Sequence, residues 1–292
     1  MAPTRIPTET DFAPILPTHP AHRPNQHEPS SSSSSSPLSL TYPDPAESTT
    51  SILVLFHGLG DSSTPFANLA RNLALPGVLA ISVRGTAPLP ALLLADADSG
   101  EQGYHWGDDL SFSSASGEVD ADPGFERASR WVIDRLIGEV LVGKCGWGVG
   151  DVMLFGFGQG GSLALGLASR LRTGVMQGRV VEGEHVMEGG RREDGETERG
   201  RKFKGVVSIG GVLPMSMVPT VSGLGRAKTP VLVCCGRESE AVDEDAVELL
   251  EREFEEVRVV RWERPDDGMP RNRDEALPMM QFFAERLRSG WL

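Results

Sequence analysis

Cysteine is scarce in this chain, with Cys145, Cys234 and Cys235 the three among 292 residues. An odd number without metal-ligand spacing excludes a complete disulfide framework and a zinc site, and it fits a reducing compartment. Positive charge is the minority sign: 28 Lys and Arg stand against 41 Asp and Glu, a net charge of −13. Such a chain is not steered toward phosphate backbones or anionic membrane surfaces, which sets nucleic-acid binding aside. No apolar run approaches the ~18–20 residues that a membrane span requires. The N-terminus lacks the basic-then-apolar pattern of a secretory signal, and Glu9, Asp11 and Glu28 do not suit a transit peptide. A cytoplasmic location is therefore expected. Histidine is missing from the entire stretch after His185.

Glycine and proline are plentiful, at 34 and 21 residues, and suit a fold with many strand–loop–helix junctions. Seven prolines between Pro3 and Pro29, followed by an unbroken Ser30–Ser36 run, predict a disordered tail over residues 1–36. Its His19, His22 and His27 read as incidental rather than metal-ligating. Residues 37–42 suggest an edge strand leading into the domain. Residues 179–204 mix acids and bases with few apolar side chains. They read as a flexible charged insert, with a regulatory or partner-binding role as the alternative.

Between these regions the apolar pattern alternates. The short continuous run at residues 51–56 predicts a strand buried on both faces, and residues 78–83, 151–155, 206–209, 231–234 and 257–262 also read as strands. Helical periodicity falls at 66–75, 122–142, 162–171, 245–255 and 275–288. In the second of these, Phe125, Ala128, Val132, Leu136 and Val140 form one stripe. Strand and helix in alternation give a mainly parallel sheet with helices on both faces, an α/β fold. Ligands of such folds bind at the carboxyl ends of the strands, so the loops there are the first places to look for chemistry.

One such loop reads Gly156-Phe157-Gly158-Gln159-Gly160-Gly161 between a strand and a helix. That is the context of the nucleophile elbow G-x-S-x-G, with Gly156 and Gly160 as flanks and Gly158 at the centre. A phosphate-binding turn is the alternative. A dinucleotide fingerprint is weak, because no acidic residue ends the next strand. The other loop, His57-Gly58-Leu59-Gly60-Asp61, follows the first long strand and suits half of an oxyanion hole.

These loops carry a resemblance. The chain resembles the phospholipase/carboxylesterase family of α/β-hydrolases, which includes the acyl-protein thioesterases. Its Phe56-His57-Gly58-Leu59-Gly60-Asp61 and Gly156–Gly161 segments resemble the family's LHGLGD and GFSQGG motifs. Arg84-Gly85-Thr86-Ala87-Pro88 and Trp106-Gly107-Asp108-Asp109 match two further family loops. Residues 230–236, Gly268-Met269 and Phe282-Phe283 match the acid-bearing strand, the histidine loop and the last helix. The resemblance covers about residues 50–290 and implies hydrolysis of carboxylic esters or protein-acyl thioesters without a cofactor. It also implies backbone oxyanion donors at Leu59 and Gln159, and a pocket around His57, Gly58, His105, Trp106, Gly156 and Gly160.

The family's three catalytic positions are occupied differently. The nucleophile position is Gly158, the acid position Ser239, and the histidine position falls near Met269. Glycine offers no nucleophile, and acyl-enzyme chemistry needs one activated by a base that a third group orients. Ser162, one turn beyond Gly158, suits helix capping or packing. Cys234 and Cys235 suit core residues with protonated thiols. Glu238 and Glu240 are displaced-acid candidates, and adjacent surface carboxylates are the plainer reading. His105 is the best candidate base, with Asp108 or Asp109 to orient it; walling the pocket beside Trp106 is the alternative. Asp108, Asp109, Asp266 and Asp267 have no spacing that demands a cation, and no metal is expected. Three readings follow. The first is a degenerate relative binding an acyl group, lipid or acylated protein in the old pocket. The second is an active esterase built around His105. The third is an interaction protein acting through the insert and tail.

Overall fold

The computed structural model describes residues 4–15, 37–90, 102–110, 120–172, 202–220 and 225–288. The seven-stranded sheet runs in the order β1 (Leu38–Thr41), β3 (Val78–Val83), β2 (Ser51–Phe56), β6 (Val152–Phe157), β7 (Gly205–Ile209), β8 (Val231–Gly236) and β9 (Val257–Trp262). β1 lies antiparallel on β3 at one edge, where residues 37–42 suggested an edge strand, and the other neighbours are parallel. A short pair, β4 (Ala87–Pro88) and β5 (Tyr104–His105), stands apart from it.

The continuous apolar run at residues 51–56 has the burial it predicts, whereas β9 at the sheet edge is mostly half-buried or exposed. All six residues of β2, of β3 and of β8 are buried. In β2, Ile52, Val54 and Phe56 belong to one core cluster, whereas Leu53 and Leu55 belong to the other. Successive side chains point to opposite faces, so a strand covered on both sides must be apolar at every position. One cluster takes in Leu136 and Val140 and, from α4 (Gln159–Leu171), Leu163 and Leu167. The other holds Phe66 from α2 (Ser63–Leu73) and Phe282 and Phe283 from α6 (Arg273–Arg288). α5 (Glu244–Glu253) adds Leu250 to the first.

The predicted stripe is present: Phe125, Ala128, Val132, Leu136 and Val140 are all buried. Only its first part is α-helical, α3 (Glu126–Arg130), and Trp131–Lys144 continues as a π-helix.

The N-terminal expectation needs correction. Residues 16–36 and most of the insert at 179–204 lie outside the described residues, but Thr4–Ile15 do not form a free tail. They carry a one-turn helix, α1 (Glu9–Phe12), and bury Phe12 completely and Ile15 nearly so against the core. Arg5 donates its backbone N–H to the Cys145 carbonyl at 2.9 Å. The indole N–H groups of Trp147 and Trp131 donate to the Arg5 and Ile15 carbonyls at 2.9 and 3.1 Å. The guanidinium of Arg5 grips Asp11 with two bonds of 2.8 and 2.6 Å and holds that carboxyl below the usual carboxylate range. Two large apolar side chains anchor a segment whose average composition reads as disordered.

Candidate functional site

β6 ends at Phe157 and α4 begins at Gln159, so one residue, Gly158, makes the turn between them. Its dihedrals are φ 51° and ψ −120°, a region that a side chain penalises and glycine enters freely. Its N–H donates to the Ile209 carbonyl at 2.8 Å, fastening the turn to β7. The flanks have no room for side chains. A Cβ on Gly156 would lie 2.2 Å from the Gly160 oxygen, and one on Gly160 would lie 2.5 Å from the carbonyl oxygens of Phe56 and His57. At Gly158 a Cβ would meet nothing within 4 Å. The geometry is that of a nucleophile elbow, with open space where a nucleophile would project and glycine in its place.

The loop after β2 packs directly on this turn, since a Cβ on Gly58 would lie 2.8 Å from the Phe157 ring. Leu59 follows, partly exposed at 38%. Gln159 is the first residue of α4, so its amide has no partner within the helix. The amides of Leu59 and Gln159 thus lie on the two loops that the resemblance assigns to oxyanion binding. The Gln159 side chain is committed elsewhere, accepting the Trp106 N–H at 2.8 Å.

His57 and Trp106 are not an open pocket wall, contrary to expectation. Both are wholly buried. The Trp106 indole N–H donates to the His57 carbonyl at 2.8 Å, and the two rings lie 5.1 Å apart. His57 Nε2 accepts the Gly85 N–H at 2.8 Å, and its Nδ1 lies 2.6 Å from the Gly58 carbonyl. A nitrogen that accepts an amide proton carries none, so His57 is the neutral Nδ1–H tautomer. Burial pushes its pKa down to about 4. It braces the oxyanion-type loop from below and has no lone pair left for a base.

His105 is also buried, and its pKa is lowered by burial and by the charge of Arg127. Its Nδ1 has no hydrogen-bond partner. The orienting role expected of Asp108 is not there. Asp108 accepts the backbone N–H groups of Glu126 and Arg127 at 2.7 and 2.8 Å, so it caps α3. Asp109 makes a backbone contact with Pro123.

The vacated acid and histidine positions face each other. Ser239 donates its hydroxyl to Asp267 Oδ2 at 2.7 Å, and Asp267 Oδ1 accepts the Gly236 N–H at 2.8 Å. The residue of the β9–α6 loop that meets the acid position is therefore Asp267, two residues before the expected Met269. Met269 packs against the core instead. A carboxylate thus stands where a base would have to be, and a hydroxyl where the carboxylate would orient it. The loop after β7 links this pair to the elbow, because Cβ atoms on Gly210 and Gly211 would strike Asp267 Cβ at 2.8 Å and the Gly158 carbonyl oxygen at 2.5 Å.

The remaining candidates behave structurally. The Ser162 hydroxyl accepts the Val212 N–H at 3.2 Å and is nearly buried. Burial raises the thiol of Cys234 to about 12 and that of Cys235 in the same direction, so both stay protonated. Glu238 pairs with its exposed neighbour Arg237. Asp266 is bound by Arg264 and Arg271 at 2.8 and 2.7 Å. Among the described residues no group of three or more His, Cys, Asp or Glu is placed to hold a metal. Sequence reasoning missed the Ser239–Asp267 pairing; the G-x-x-S spacing after β8 and the adjacent acids before Gly268 were its only trace.

Comparison with known proteins bears on this arrangement. The sequence model of the phospholipase/carboxylesterase family matches residues 43–181. Over those residues the chain is similar to that family. An uncharacterized hydrolase of Schizosaccharomyces pombe is 28% identical over 239 residues, 81% of this chain and 83% of its own length. An uncharacterized hydrolase of Mycosarcoma maydis is 35% identical over 116 residues, 39% of this chain and 40% of its own. The crystal structure of Zea mays acyl-protein thioesterase 2 superimposes with a TM-score of 0.56 over 86% of this chain and 98% of that one, at 17% identity. That likeness fixes the fold, an α/β-hydrolase. No helix among the described residues is long and apolar enough to cross a membrane.

Proposed function

We propose that this chain is a family member that has given up serine-hydrolase chemistry and binds an acyl-bearing ligand at the old site. The ligand class is a small ester or acyl compound, a lipid or an acylated protein. The observation that carries this reading is Gly158: an elbow with φ 51°, and space for a side chain, but with no oxygen or sulfur to attack a carbonyl. The neutral, doubly engaged His57 and the Ser239–Asp267 pair supply no base for one. The closely packed loop glycines, and the position of Gln159 at the first turn of α4, support this reading. Three buried free cysteines support a reducing, cytoplasmic setting.

The test has two arms on the purified protein. Fluorophosphonate probes should leave no covalent label, and p-nitrophenyl esters should give no acyl-enzyme burst. A non-hydrolysable long-chain acyl thioether should still bind by calorimetry, and Gly158→Trp, which fills the open space, should weaken that binding. A stoichiometric label that vanishes on mutating one Ser or Cys would overturn the reading.

One observation favours a second reading. The unpartnered Nδ1 of His105 is a buried ring nitrogen free to accept a proton. In that case hydrolysis would persist through a displaced nucleophile and be lost in His105→Phe.

A further inference from the structure

A cavity of about 420 Å³ lies away from the elbow, between α3, the π-helix, the distal half of α4 and residues 216–220. None of the elbow or oxyanion-loop residues lines it. Its apolar surface comes from Ile133, Leu167, Leu171, Met217, Val218 and Pro219. Met217 is seated hard against α4, where a Cβ on Gly166 would lie 2.1 Å from its sulfur. That contact sets one wall of the cavity and leaves the space beyond it unfilled.

The polar part of the lining is unevenly paired. Glu126 takes both arginines: Arg130 Nε at 2.8 Å and Arg170 Nη1 at 2.7 Å. Arg170 also donates to the Ser216 carbonyl at 2.9 Å. Asp134, on the same wall, makes no ion pair among the described residues. Burial raises its carboxyl above the usual range, the nearby Glu126 adds to that, and Arg130 opposes it. Ser129, 5% exposed, has a hydroxyl with no hydrogen-bond partner. A buried hydroxyl left unpaired costs free energy, and the half-buried Asp134 carboxylate has near it only Arg130, which is already held by Glu126. Both are relieved by one kind of visitor, a donor-rich cation on an apolar stem.

We propose that this cavity is a second binding site, for an aliphatic amine whose ammonium group meets Asp134 and Ser129 and whose chain lies along Leu167, Leu171 and Val218. An ammonium carries three donors and no acceptor, so it can donate to both the Asp134 carboxylate and the Ser129 hydroxyl oxygen. A carboxylate or sulfate head would meet Asp134 and Glu126 with like charge. The two arginines offer it no compensation, because both are already held by Glu126. The volume suits a stem of medium length, at the lower end of the ~300–1,000 Å³ range of small-molecule sites. The site is independent of the reading given for the elbow.

The experiment is calorimetric titration of the full chain with three probes of one length: decylamine, decanol and decanoate. Decylamine should bind at least tenfold more tightly than either of the others. Asp134→Asn should remove most of that preference, about tenfold in affinity, while its melting temperature shows that the fold is intact. Gly158→Trp should leave decylamine binding unchanged, which separates this cavity from the elbow. Equal binding of decanoate, an unaltered affinity in Asp134→Asn, or loss of binding in Gly158→Trp would each overturn the assignment. Should Asp134→Asn fail to fold, Thr220→Trp at the exposed rim tests the same cavity by obstruction, and undiminished binding there would also overturn it.

Discussion

At the scale of single residues, Gly158 separates two requirements that a serine would have to meet together. The space is free, since a Cβ would meet nothing within 4 Å, but the backbone at φ 51° is one that a side chain strains. Gly158→Ser should therefore fit sterically and still lower stability by about 1–3 kcal/mol. It should also give little hydrolysis, because neither histidine of the site is poised to take its proton. Denaturation and p-nitrophenyl ester kinetics on the variant beside the parent decide this. Saturable, robust turnover would show that a base is present, with His105 the first residue to replace. His57 makes a prediction of opposite character. Its native pKa, about 4, lies below its ordinary 6.5. Between these values the unfolded chain binds more protons than the folded one, so stability rises with pH across that window and falls on acidification. The difference corresponds to about 3 kcal/mol, fully lost below pH 4. His57→Gln keeps an acceptor for the Gly85 N–H but does not titrate. Urea midpoints from pH 7 to pH 4 should therefore fall less steeply in that variant than in the parent.

At the scale of elements, the short anchored segment at residues 4–15 shows where composition misleads. Proline spacing and polar content describe the segment on average, but Phe12 alone is wholly buried against the core. Removing such a side chain from a core costs about 3–5 kcal/mol when the surroundings cannot relax. This segment can relax by undocking, so the loss in Phe12→Ala is capped by the docking free energy of the whole strap. Deleting residues 2–15 should accordingly destabilise at least as much as Phe12→Ala, as read by urea midpoints. If the deletion leaves the midpoint unchanged, the docked segment contributes nothing to folding. The buried strands were legible because covering both faces forces an unbroken apolar run, a signal that needs no tertiary knowledge. The start of α4 was not. The Gln159-Gly160-Gly161 stretch has weak helix propensity. The helix begins there because the elbow holds the chain, three residues earlier than periodicity implied. Nor could periodicity distinguish the π-helix at Trp131–Lys144, whose inward stripe is spaced closely enough to an α-helical one.

At the scale of the whole molecule, the loops after β2, β6, β7, β8 and β9 converge on the site, and sequence motifs located the first two without fixing how the residues of the others meet. The glycines around Gly158 were legible because close backbone approach leaves glycine as the one residue that fits. The Ser239–Asp267 contact was not, because the register of an irregular loop is set by packing rather than by spacing. That contact determines how a triad would have to be rebuilt here. Placing an aspartate at 239 alone would press two carboxylates together at hydrogen-bond distance, raising the pKa of one and straining the loop. The combination that respects the geometry puts the acid on the loop after β8 and the base on the β9–α6 loop: Ser239→Asp with Asp267→His, added to Gly158→Ser. An imidazole at 267 would then lie within reach of the new carboxylate, which orients it as general base. This triple variant should exceed Gly158→Ser alone in p-nitrophenyl ester kcat/KM by on the order of a hundredfold, the lower end of what a positioned base contributes. Met269→His in place of Asp267→His should add nothing, since it is Asp267 that meets Ser239, whereas Met269 packs against the core. If the Met269 version is the more active of the two, the Ser239–Asp267 contact does not mark the place of the missing base.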